Sequence, residues 1–556
     1  MTTIHWKSGV SGDWSDANRW REDVVPGAGD DAVIGASGDY QVTIDSPESA
    51  NGITLNAAGA TVLAEDTLTV GGDLTVEAGT FELSQSNTFA APHGVIVGGT
   101  LSAPGGEFDW QGGTISAVTY EGNLTIGAGQ ILTDTNGLIV TGSGGSGPGV
   151  IDMTAGDSNS LTFDSGPGID NITIDIGGPG NGSALKFNRG NGKFDSFALG
   201  PGVAVDVLGA TNIGGGARQL DVEGSIVVAA SQALVIGSTK FLEEFVIDIE
   251  GSLTLENDAS VLIACRFANG FSSRSLTGGK FTVESGAILT VGYAIQKLYS
   301  TLTLDGAGSM MEVYSTLTGD HVAIDQSVDY VGLGGALEVL GGRDWTANLA
   351  FVNHGLLQLG GGTFAEASIK NSGTVEGFGT IAAPVDNSKT ISAAGGVLEV
   401  TGAVTNTGRL VIGANSELKL DAAASATTAT FAGAGGTLAM ADPDSLGGKI
   451  VGFAVGDVID LIGISATSAV RTPGTHTLVV SDNGTTVATL QLSGTYTHDT
   501  FAVASDGHGG TDITLVLPTA QLAQHMAAMA PASSSGAASH TQPAAAPVAT
   551  LASPGG

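Results

Sequence analysis

Apolar residues occur along this chain in short runs of three to five residues, in which apolar and polar positions roughly alternate. Each run ends at Gly, Asn or Asp, and a similar run follows. The stretches "DTLTVGGDLTVEAGTFELS" (66–84) and "GGKFTVESGAILTVG" (278–292) show the arrangement, with a Gly-bearing turn between two runs. Alternation with a period of two is typical of β-strands with one buried face. The pattern therefore predicts an all-β protein of short strands joined by tight turns.

A phrase that begins with Asn returns four times in the second half of the chain. Asn353, Asn371, Asn387 and Asn406 each precede a short apolar run, at spacings of 18, 16 and 19 residues. A fixed corner residue favours a parallel β-solenoid (β-helix), in which each short strand pairs with its equivalent one coil above. Asn tolerates the left-handed backbone conformation, and stacked Asn side chains hydrogen-bond from coil to coil. We therefore predict that these four residues form a structural turn ladder.

Two architectures fit the strand pattern. In a solenoid, about 370 residues at roughly 17 per coil, with strands about 4.8 Å apart, form a rod on the order of 100 Å long. A string of small antiparallel domains is the alternative, because the spacing of the runs in the first half is irregular. The repeated corner residue favours the solenoid.

Changes in composition divide the chain into four segments. Residues 1–45 contain three of the five Trp residues and are expected to form an N-terminal cap. Residues 46–427 carry the solenoid repeats, with a candidate break at the Gly- and Ser-rich stretch 142–149. The repeat rhythm then changes, and residues 428–517 are expected to form a C-terminal β-rich module. Residues 518–556 hold no Asp, Glu, Lys or Arg and are rich in Ala, Ser and Pro, which predicts a flexible tail.

The Trp residues of the first segment, Trp6, Trp14 and Trp20, have two interpretations. As part of a cap they would cover the first coil, whose open strand edge would otherwise pair with another chain. As exposed rings they would form a glycan-binding face, because Trp stacks on sugar rings. The cap is favoured, since an unprotected parallel edge promotes aggregation.

Composition supports an ordered protein. Gly contributes 87 of 556 residues, but Pro contributes only 16 and there is no Gly-X-Y period, which excludes a collagen-like chain. Hydrophobic residues make up 42% and charged residues only 13%, the reverse of the balance in a disordered chain. Most of the chain is therefore expected to fold.

The net charge of the chain limits the classes of partner that it can bind. The net charge is −36, so there is no surplus of Lys and Arg for nucleic acid or for an anionic membrane surface. No stretch reaches 18 apolar residues, and we expect no membrane insertion. The acidity fits an extracellular protein that repels its own copies, or one that recruits divalent cations.

Asp506 and Asp512 in "DGHGGTD" are the candidate metal ligands, and Ca²⁺ is the one cofactor that the sequence suggests. Two carboxylates separated by Gly can bend round a Ca²⁺ ion, which takes six or more oxygen ligands. The alternative is a tight hairpin turn, for which Asp-Gly is a common choice. The single cysteine, Cys265, is expected to be a small apolar strand residue.

A polysaccharide-active enzyme is the rival functional class. The stretch "KFNRGNGKFDS" concentrates Lys186, Arg189, Lys193 and Asp195 in a chain that is otherwise poor in cations. These residues would line a groove for an acidic polysaccharide, or they form a long turn with solvated charges. Lyase chemistry needs a base beside a charge-neutralising group, and the sequence does not bring such a pair onto one face. We therefore expect no enzymatic activity and name no catalytic residues.

Three stretches resemble known bacterial families. The opening "SGDWSDANRW" with "VPGAGDDAVIGASGDYQVTID" resembles the start of large β-strand-repeat surface proteins of Gram-negative bacteria. The stretch from "NSGTVEGFGTI" to "GGVLEVTGAVTNTGRL" is similar to the repeats of those proteins and of autotransporter passenger domains. "IVGFAVGDVIDLIGI" with "DGHGGTDITLV" resembles a C-terminal module of proteins exported by type I secretion, but the tandem Gly-Gly-x-Gly-x-Asp calcium repeats of many such proteins are missing.

The resemblance implies export in one step with an uncleaved C-terminal signal, for which the tail 518–556 is the candidate. The chain start has neither a basic region nor an apolar region of a classical signal peptide, as this route predicts. The expected location is therefore secreted, either extracellular or at the cell surface.

These observations lead to a ranked expectation. The first function is a secreted structural or adhesive surface protein that acts as a rigid spacer or matrix component. The alternatives are a self-assembling extracellular filament or surface-layer subunit, and a polysaccharide-binding or lyase-like β-helix protein. The expected partners are copies of the same chain, in end-to-end or lateral assembly, or cell-surface glycans and proteins.

Overall fold

The computed structural model is almost entirely β, and the predicted parallel β-solenoid is confirmed. It describes residues 1–84, 93–164, 166–178, 180, 182–188, 196–216, 219–237, 245–271, 273–315, 319–425, 428–496 and 499–516. These residues form 58 strands. The helical elements among them are one α-helical turn, α1 (Ala268–Phe271), and three 3-10 turns at Ala17–Arg19, Ile324–Gln326 and Pro443–Ser445.

The solenoid begins at the first strand. Thr3 pairs in parallel with Asp31, which pairs with Gly52 on the following coil. Residues 1–45 are therefore the first coils of the solenoid as well as its closure, and are not a separate cap. The strands of this part are β1 (Thr3–His5), β2 (Gly12–Asp13), β3 (Asp31–Ile34), β4 (Tyr40–Ile44), β5 (Glu48–Ala50), β6 (Gly52–Ala64), β7 (Thr67–Val70), β8 (Asp73–Ser84), β9 (Val95–Val97), β10 (Thr100–Ser102), β11 (Glu107–Ser116), β12 (Thr119–Glu121), β13 (Asn123–Thr125), β14 (Ile131–Asp134) and β15 (Ile139–Thr141).

The middle part has three short strands in most coils. Its strands are β16 (Gly149–Met153), β17 (Ser160–Phe163), β18 (Gly168–Ile169), β19 (Ile172–Ile176), β20 (Ser183–Phe187), β21 (Ser196–Leu199), β22 (Val203–Val207), β23 (Thr211–Gly214), β24 (Gln219–Val222), β25 (Ser225–Val228), β26 (Ala233–Ile236), β27 (Val246–Ile249), β28 (Ser252–Leu255), β29 (Ser260–Ile263), β30 (Arg266–Phe267), β31 (Ser275–Leu276), β32 (Lys280–Val283), β33 (Ile288–Val291), β34 (Lys297–Leu298), β35 (Thr301–Asp305), β36 (Met310–Ser315), β37 (Asp320–Ala323) and β38 (Tyr330–Val331). Strands β36 and β37 form an antiparallel hairpin, whereas the others stack in parallel on their neighbours.

The candidate break at 142–149 coincides with a change of sheet. Strand β15 pairs with β12, while β13 pairs with β16 and starts a new column of strands. Between them the chain turns on itself, with the Gly142 N–H donating to the Gly147 carbonyl (3.2 Å). The neighbouring column β11, β14, β17 passes this point without interruption, so the rod continues across it.

The later coils are shorter and more regular. Their strands are β39 (Ala336–Leu340), β40 (Trp345–Thr346), β41 (Ala350–Asn353), β42 (Leu356–Ala365), β43 (Ser368–Asn371), β44 (Thr374–Ala382), β45 (Val385–Asn387), β46 (Thr390–Val400), β47 (Val404–Thr405), β48 (Arg409–Ile412), β49 (Glu417–Leu420), β50 (Thr428–Phe431), β51 (Thr437–Met440), β52 (Lys449–Val451) and β53 (Val458–Leu461). Asn371 bonds to Asn387, 16 residues later, whereas Thr303 bonds to Glu338, 35 residues later. The expected 17 residues per coil therefore fits only these later coils, because connections outside the strands absorb the extra residues elsewhere.

The C-terminal end changes from parallel to antiparallel pairing. Its strands are β54 (Ser468–Arg471), β55 (Thr477–Asp482), β56 (Thr485–Ser493), β57 (Thr500–Ser505) and β58 (Thr511–Val516). Arg409, Thr428 and Lys449 still pair in one parallel register, and the antiparallel pairing begins where β58 lies against β53. The expected boundary near residue 428 thus falls inside the solenoid, because β50 and β53 keep the alternation that fits its interior and β51 stacks in parallel between β49 and β53.

One continuous hydrophobic core fills the rod from Ile4 to Leu515. The alternation turns every second strand residue inward, and parallel register stacks these residues in columns. Val205, Ile226 and Leu253 form one such column on successive coils and are fully buried. Each side chain of this kind stabilises the fold by about 1.5–3 kcal/mol.

Three of the four predicted ladder residues form a buried ladder. The Asn353 Nδ2 donates to Asn371 Oδ1 (2.9 Å), and the Asn371 Nδ2 donates to Asn387 Oδ1 (2.8 Å). The Asn371 Nδ2 also donates to the Thr390 carbonyl (2.9 Å), and its Oδ1 accepts the Gly373 N–H (3.1 Å). The ladder therefore satisfies polar groups inside the core and ties three coils together.

Asn406, the expected fourth member, does not join the ladder. It is exposed, and its Nδ2 donates to Asp386 Oδ1 (2.9 Å). Its backbone is left-handed, with a φ of 76°, whereas the three ladder residues do not have positive φ. The expected link between the left-handed Asn conformation and the ladder is therefore wrong. Of these four residues, the one with the left-handed conformation is Asn406, which turns outward.

We predict that Asn371→Ala destabilises the protein by about 3 kcal/mol or more, because it leaves several buried donors and acceptors without partners, at about 1–3 kcal/mol each. Urea unfolding followed by circular dichroism measures the change. The control is Asn406→Gly, which keeps the positive φ and removes an exposed side chain, and is expected to shift stability by less than about 0.5 kcal/mol. Equal losses in the two variants would contradict the role of the ladder.

Candidate functional site

A groove of about 560 Å³ runs along one corner of the solenoid. Six successive coils contribute to it, from Pro201 to Gly334. It lies where the chain turns into the strands β25, β28, β32 and β35, whose first residues Ser225, Ser252, Lys280 and Thr301 pair in register. The corner residues that precede these strands are therefore repeated along the groove at the spacing of the coils.

Carboxylates and one ammonium group line the groove. Glu223 and Glu250 occupy the same corner position on adjacent coils, two residues before Ser225 and Ser252, and both are exposed. Lys280 is also exposed and follows Ser252 in the next row. The groove thus offers hydrogen-bond acceptors and donors within a few coils.

Glycines keep the groove open. At Gly278, which has a φ of +65°, a Cβ atom would lie 2.6 Å from Glu250 Oε1. At Gly279, with a φ of +60°, it would lie 2.4 Å from the Ile249 carbonyl oxygen. A side chain at either position would collide with the coil below, so the floor here is backbone.

Aromatic rings extend the groove along the rod. The Tyr299 ring is 41% exposed and lies over Gly332, where a Cβ atom would be 2.2 Å from the ring. The Tyr330 ring follows at a centroid distance of 5.9 Å, and the His354 ring follows Tyr330 at 5.2 Å. We call Tyr299, Tyr330 and His354 the aromatic strip. The Lys297 Nζ lies 5.7 Å from the centre of the Tyr330 ring, within the range of a cation–π contact.

The groups that line the groove can form hydrogen bonds and ring contacts with a ligand. Its lining residues include no His and no Cys. Within the described ranges, no three His, Cys, Asp or Glu side chains are grouped so that they could hold a metal ion. Hydroxyls, two carboxylates, an ammonium group and a ring face are the groups available to a ligand.

The structure places Trp6, Trp14 and Trp20 together at the N-terminal end. All three rings are buried, and Trp20 meets Trp6 and Trp14 edge to face, at centroid distances of 5.0 and 4.9 Å. The Trp20 Nε1 donates to the Trp14 carbonyl (2.8 Å). Because all three rings are buried, they help to close the first coil and leave no surface for a sugar ring.

Asp506 and Asp512 lie near each other at the C-terminal end, where burial and then repulsion from Asp506 raise the pKa of Asp512. The Asp506 carboxylate accepts the backbone N–H groups of His508 (2.6 Å) and Gly510 (2.8 Å) within its own turn. Asp512 lies on β58 and pairs across the sheet with Asp460 on β53. The stretch has the geometry of the hairpin alternative.

Two further candidates are the basic stretch that begins at Lys186 and the single cysteine. Lys186 lies on β20, whereas Arg189, Lys193 and Asp195 lie outside the described residues. Burial raises the pKa of the Cys265 thiol to about 12, which leaves it protonated and unreactive at neutral pH. It packs against the core as expected of a small apolar residue.

Sequence reasoning missed the groove, although one signal was present. The phrase Glu-Gly-Ser occurs at 223–225 and again at 250–252, each time before an alternating run. Gly278, Gly279 and Lys280 take the corresponding places one coil later. Recognising this corner required the coil length, which varies in this part of the chain.

No family model, no curated protein and no solved structure matches the chain. None of the described helices has the length and apolar character needed to cross a membrane. The assignment of a function therefore depends on the geometry and on the sequence features described above.

Asp460 and Asp512, which pair across the sheet near the C-terminal end, predict that the stability of the protein depends on pH. Burial, with added repulsion from Asp512 and Asp506, raises the pKa of Asp460 from 3.8 to about 6, and its Oδ1 is buried without a hydrogen-bond partner. The folded protein therefore binds more protons than the unfolded chain between these values. The contribution of Asp460 to the free energy of unfolding is therefore fully present below about pH 4. It is lost as the pH rises through about 6.

We predict that Asp460→Asn stabilises the protein at pH 7 by on the order of 1 kcal/mol, after allowance for partial exposure. Urea unfolding at several pH values measures it: the difference from wild type should be near zero at pH 4 and complete above pH 6. Asp39→Asn, at an exposed position, is the control and should show no such trend. A difference that does not depend on pH would contradict the assignment.

Proposed function

We propose that this protein is a secreted structural or adhesive protein that acts as a rigid spacer at a bacterial cell surface. The observation that carries the proposal is the parallel stacking of the coils over one hydrophobic core. The described strands stack in about twenty levels, which at about 4.8 Å per level makes a rod roughly 90 Å long. The bacterial surface location rests on the resemblance of the repeats, and no part of the proposal requires catalysis.

Closed ends favour a discrete rod over an end-to-end filament. At the N-terminus, the outer edge of β1 is covered: the Lys7 N–H donates to the Arg19 carbonyl, and the Arg21 N–H donates to the His5 carbonyl, both at 2.8 Å. The His5 N–H donates to the Glu22 carboxylate (2.8 Å). These contacts use the backbone groups that would otherwise pair with a second molecule.

The C-terminal end is closed in a different way. Strand β58 pairs antiparallel with β53, the last parallel strand of its column, and β57 then pairs with β58. A second copy would have to displace this antiparallel layer before stacking on the solenoid. The filament alternative is therefore the less favoured one.

The acidic surface supports separation of neighbouring rods. Asp152, Asp175 and Asp206 lie in register on three successive coils of one sheet. Burial and then the two neighbouring carboxylates raise the pKa of Asp175. Together with a net charge of −36, such rows make lateral contact between copies unfavourable at low salt.

The rod shape has a direct test. Negative-stain electron microscopy of the purified full chain should show single, unbranched particles roughly 90 Å long, several times longer than wide, with no filaments. Particles without a long axis would overturn the spacer. Long filaments under dilute conditions would favour the assembly alternative instead.

Modularity gives a second test. We predict that deleting residues 374–389, one complete coil between Thr374 and its partner Thr390, leaves a folded protein that is shorter by about 4.8 Å. The matched control deletes residues 374–381, half a coil, and should unfold that part because the remaining half coil cannot stack its strands and corners on the coils above and below. Circular dichroism and urea unfolding separate the two. Equal damage from both deletions would contradict a spacer whose length is set by its number of coils.

A further inference from the structure

We propose that the corner groove and the aromatic strip form a binding site for a neutral glycan chain that lies along the rod. The inference rests on the proposed role as a surface protein, to which it adds the class of ligand. It is carried by the row of Glu223, Glu250 and Tyr299 on one corner, which the coil register aligns.

The site has the shape for an extended chain. A volume of about 560 Å³ is within the usual range for ligand sites, and residues of six successive coils line it. From Glu223 to His354 the corner crosses six coils, or roughly 25 Å at the strand spacing. A linear polymer can therefore contact the groove and the aromatic strip together, and a compact small molecule cannot.

The groups match sugar chemistry. The carboxylates of Glu223 and Glu250 accept hydrogen bonds from hydroxyl groups, and charged acceptors form stronger bonds than neutral ones. Lys280 and the Thr301 hydroxyl, which also line the groove, can donate hydrogen bonds. The exposed face of Tyr299 carries a negative quadrupole, which attracts the C–H groups on the apolar face of a pyranose ring.

Charge selects a neutral glycan over an acidic one. The groove holds two carboxylates and one ammonium group, Lys297 lies beside the aromatic strip, and the whole chain has a net charge of −36. A uronic acid polymer would meet repulsion from the groove and from the rest of the surface. A neutral polymer meets no such repulsion and can form the same hydrogen bonds.

The backbone excludes an extended peptide that would add a strand. The Ser252 N–H donates to the Gly224 carbonyl and the Lys280 N–H donates to the Gly251 carbonyl, both at 2.9 Å. These groups are used between coils, so the corner has no free strand edge to pair with a peptide. Recognition here has to come from side chains.

Isothermal titration of the full chain with hexasaccharides tests the proposal. The probes are β-1,4-glucan, β-1,3-glucan, α-1,4-glucan and β-1,4-mannan fragments, with oligogalacturonate as the acidic comparison and calcium chloride alone as the cation comparison. At least one neutral fragment should bind more tightly than oligogalacturonate. Absence of binding by all four neutral fragments, or tighter binding of oligogalacturonate, would overturn the proposal.

Variants locate the binding. Tyr299→Ala should weaken it about tenfold, and Ser252→Trp, which fills the groove from an outward strand position, at least tenfold. The matched controls are Tyr314→Ala, where the ring is 37% exposed on β36, and Ser260→Trp, at an outward position of β29. Both controls should bind as wild type. Affinity that is unchanged in Tyr299→Ala and Ser252→Trp would place the glycan elsewhere and overturn the site.

Electron microscopy of the same samples separates this inference from the spacer. Rod-shaped particles that bind none of the neutral fragments overturn the groove and leave the spacer intact. Particles without a long axis overturn the spacer, whatever the titration shows. If Ser252→Trp fails to fold, Glu250→Gln replaces it, because it removes a charged acceptor without adding volume and should weaken binding severalfold.

Discussion

Parallel backbone hydrogen bonding between successive coils is the constraint on which the rest of this structure depends. A single coil buries too little apolar surface to fold by itself, and it gains a core only when another coil lies above or below it. The register of this stacking determines which side chains point inward. Because the register is repeated, equivalent positions point inward on successive coils. The core, the buried Asn ladder and the rows of acidic residues are all consequences of one repeated register.

The fold was accessible from the sequence because its signal is local. Alternation of apolar and polar residues needs no knowledge of distant contacts, and the repeated Asn marks one corner wherever the coils are short. The features that the sequence did not reveal depend on the lengths of the connections between strands. Coil length varies with the insertions at the corners, so the irregular first half concealed its own repeat, and the continuation of the solenoid beyond residue 428 was hidden by Gly- and Asp-rich links.

The candidate site shows the same limit more clearly. Glu250 and Tyr299 are far apart in sequence, and only the lengths of two intervening coils bring them to one corner. Asn406 follows the pattern of the ladder, yet one change of backbone conformation takes it out of the core. A repeated phrase therefore predicts where strands start with more success than it predicts which side chains meet.

The direction of the hydrogen bonds has a mechanical consequence. In a solenoid these bonds run along the long axis, from each coil to the next, and a pull on the two ends loads them one coil at a time. Such loading unzips a ladder, whereas a pull along the strands would shear many bonds together. Each released coil of about 20 residues would supply roughly 70 Å of slack at about 3.5 Å per residue. Under tension the rod would therefore lengthen in steps of one coil. It would absorb mechanical energy between the structures attached to its two ends.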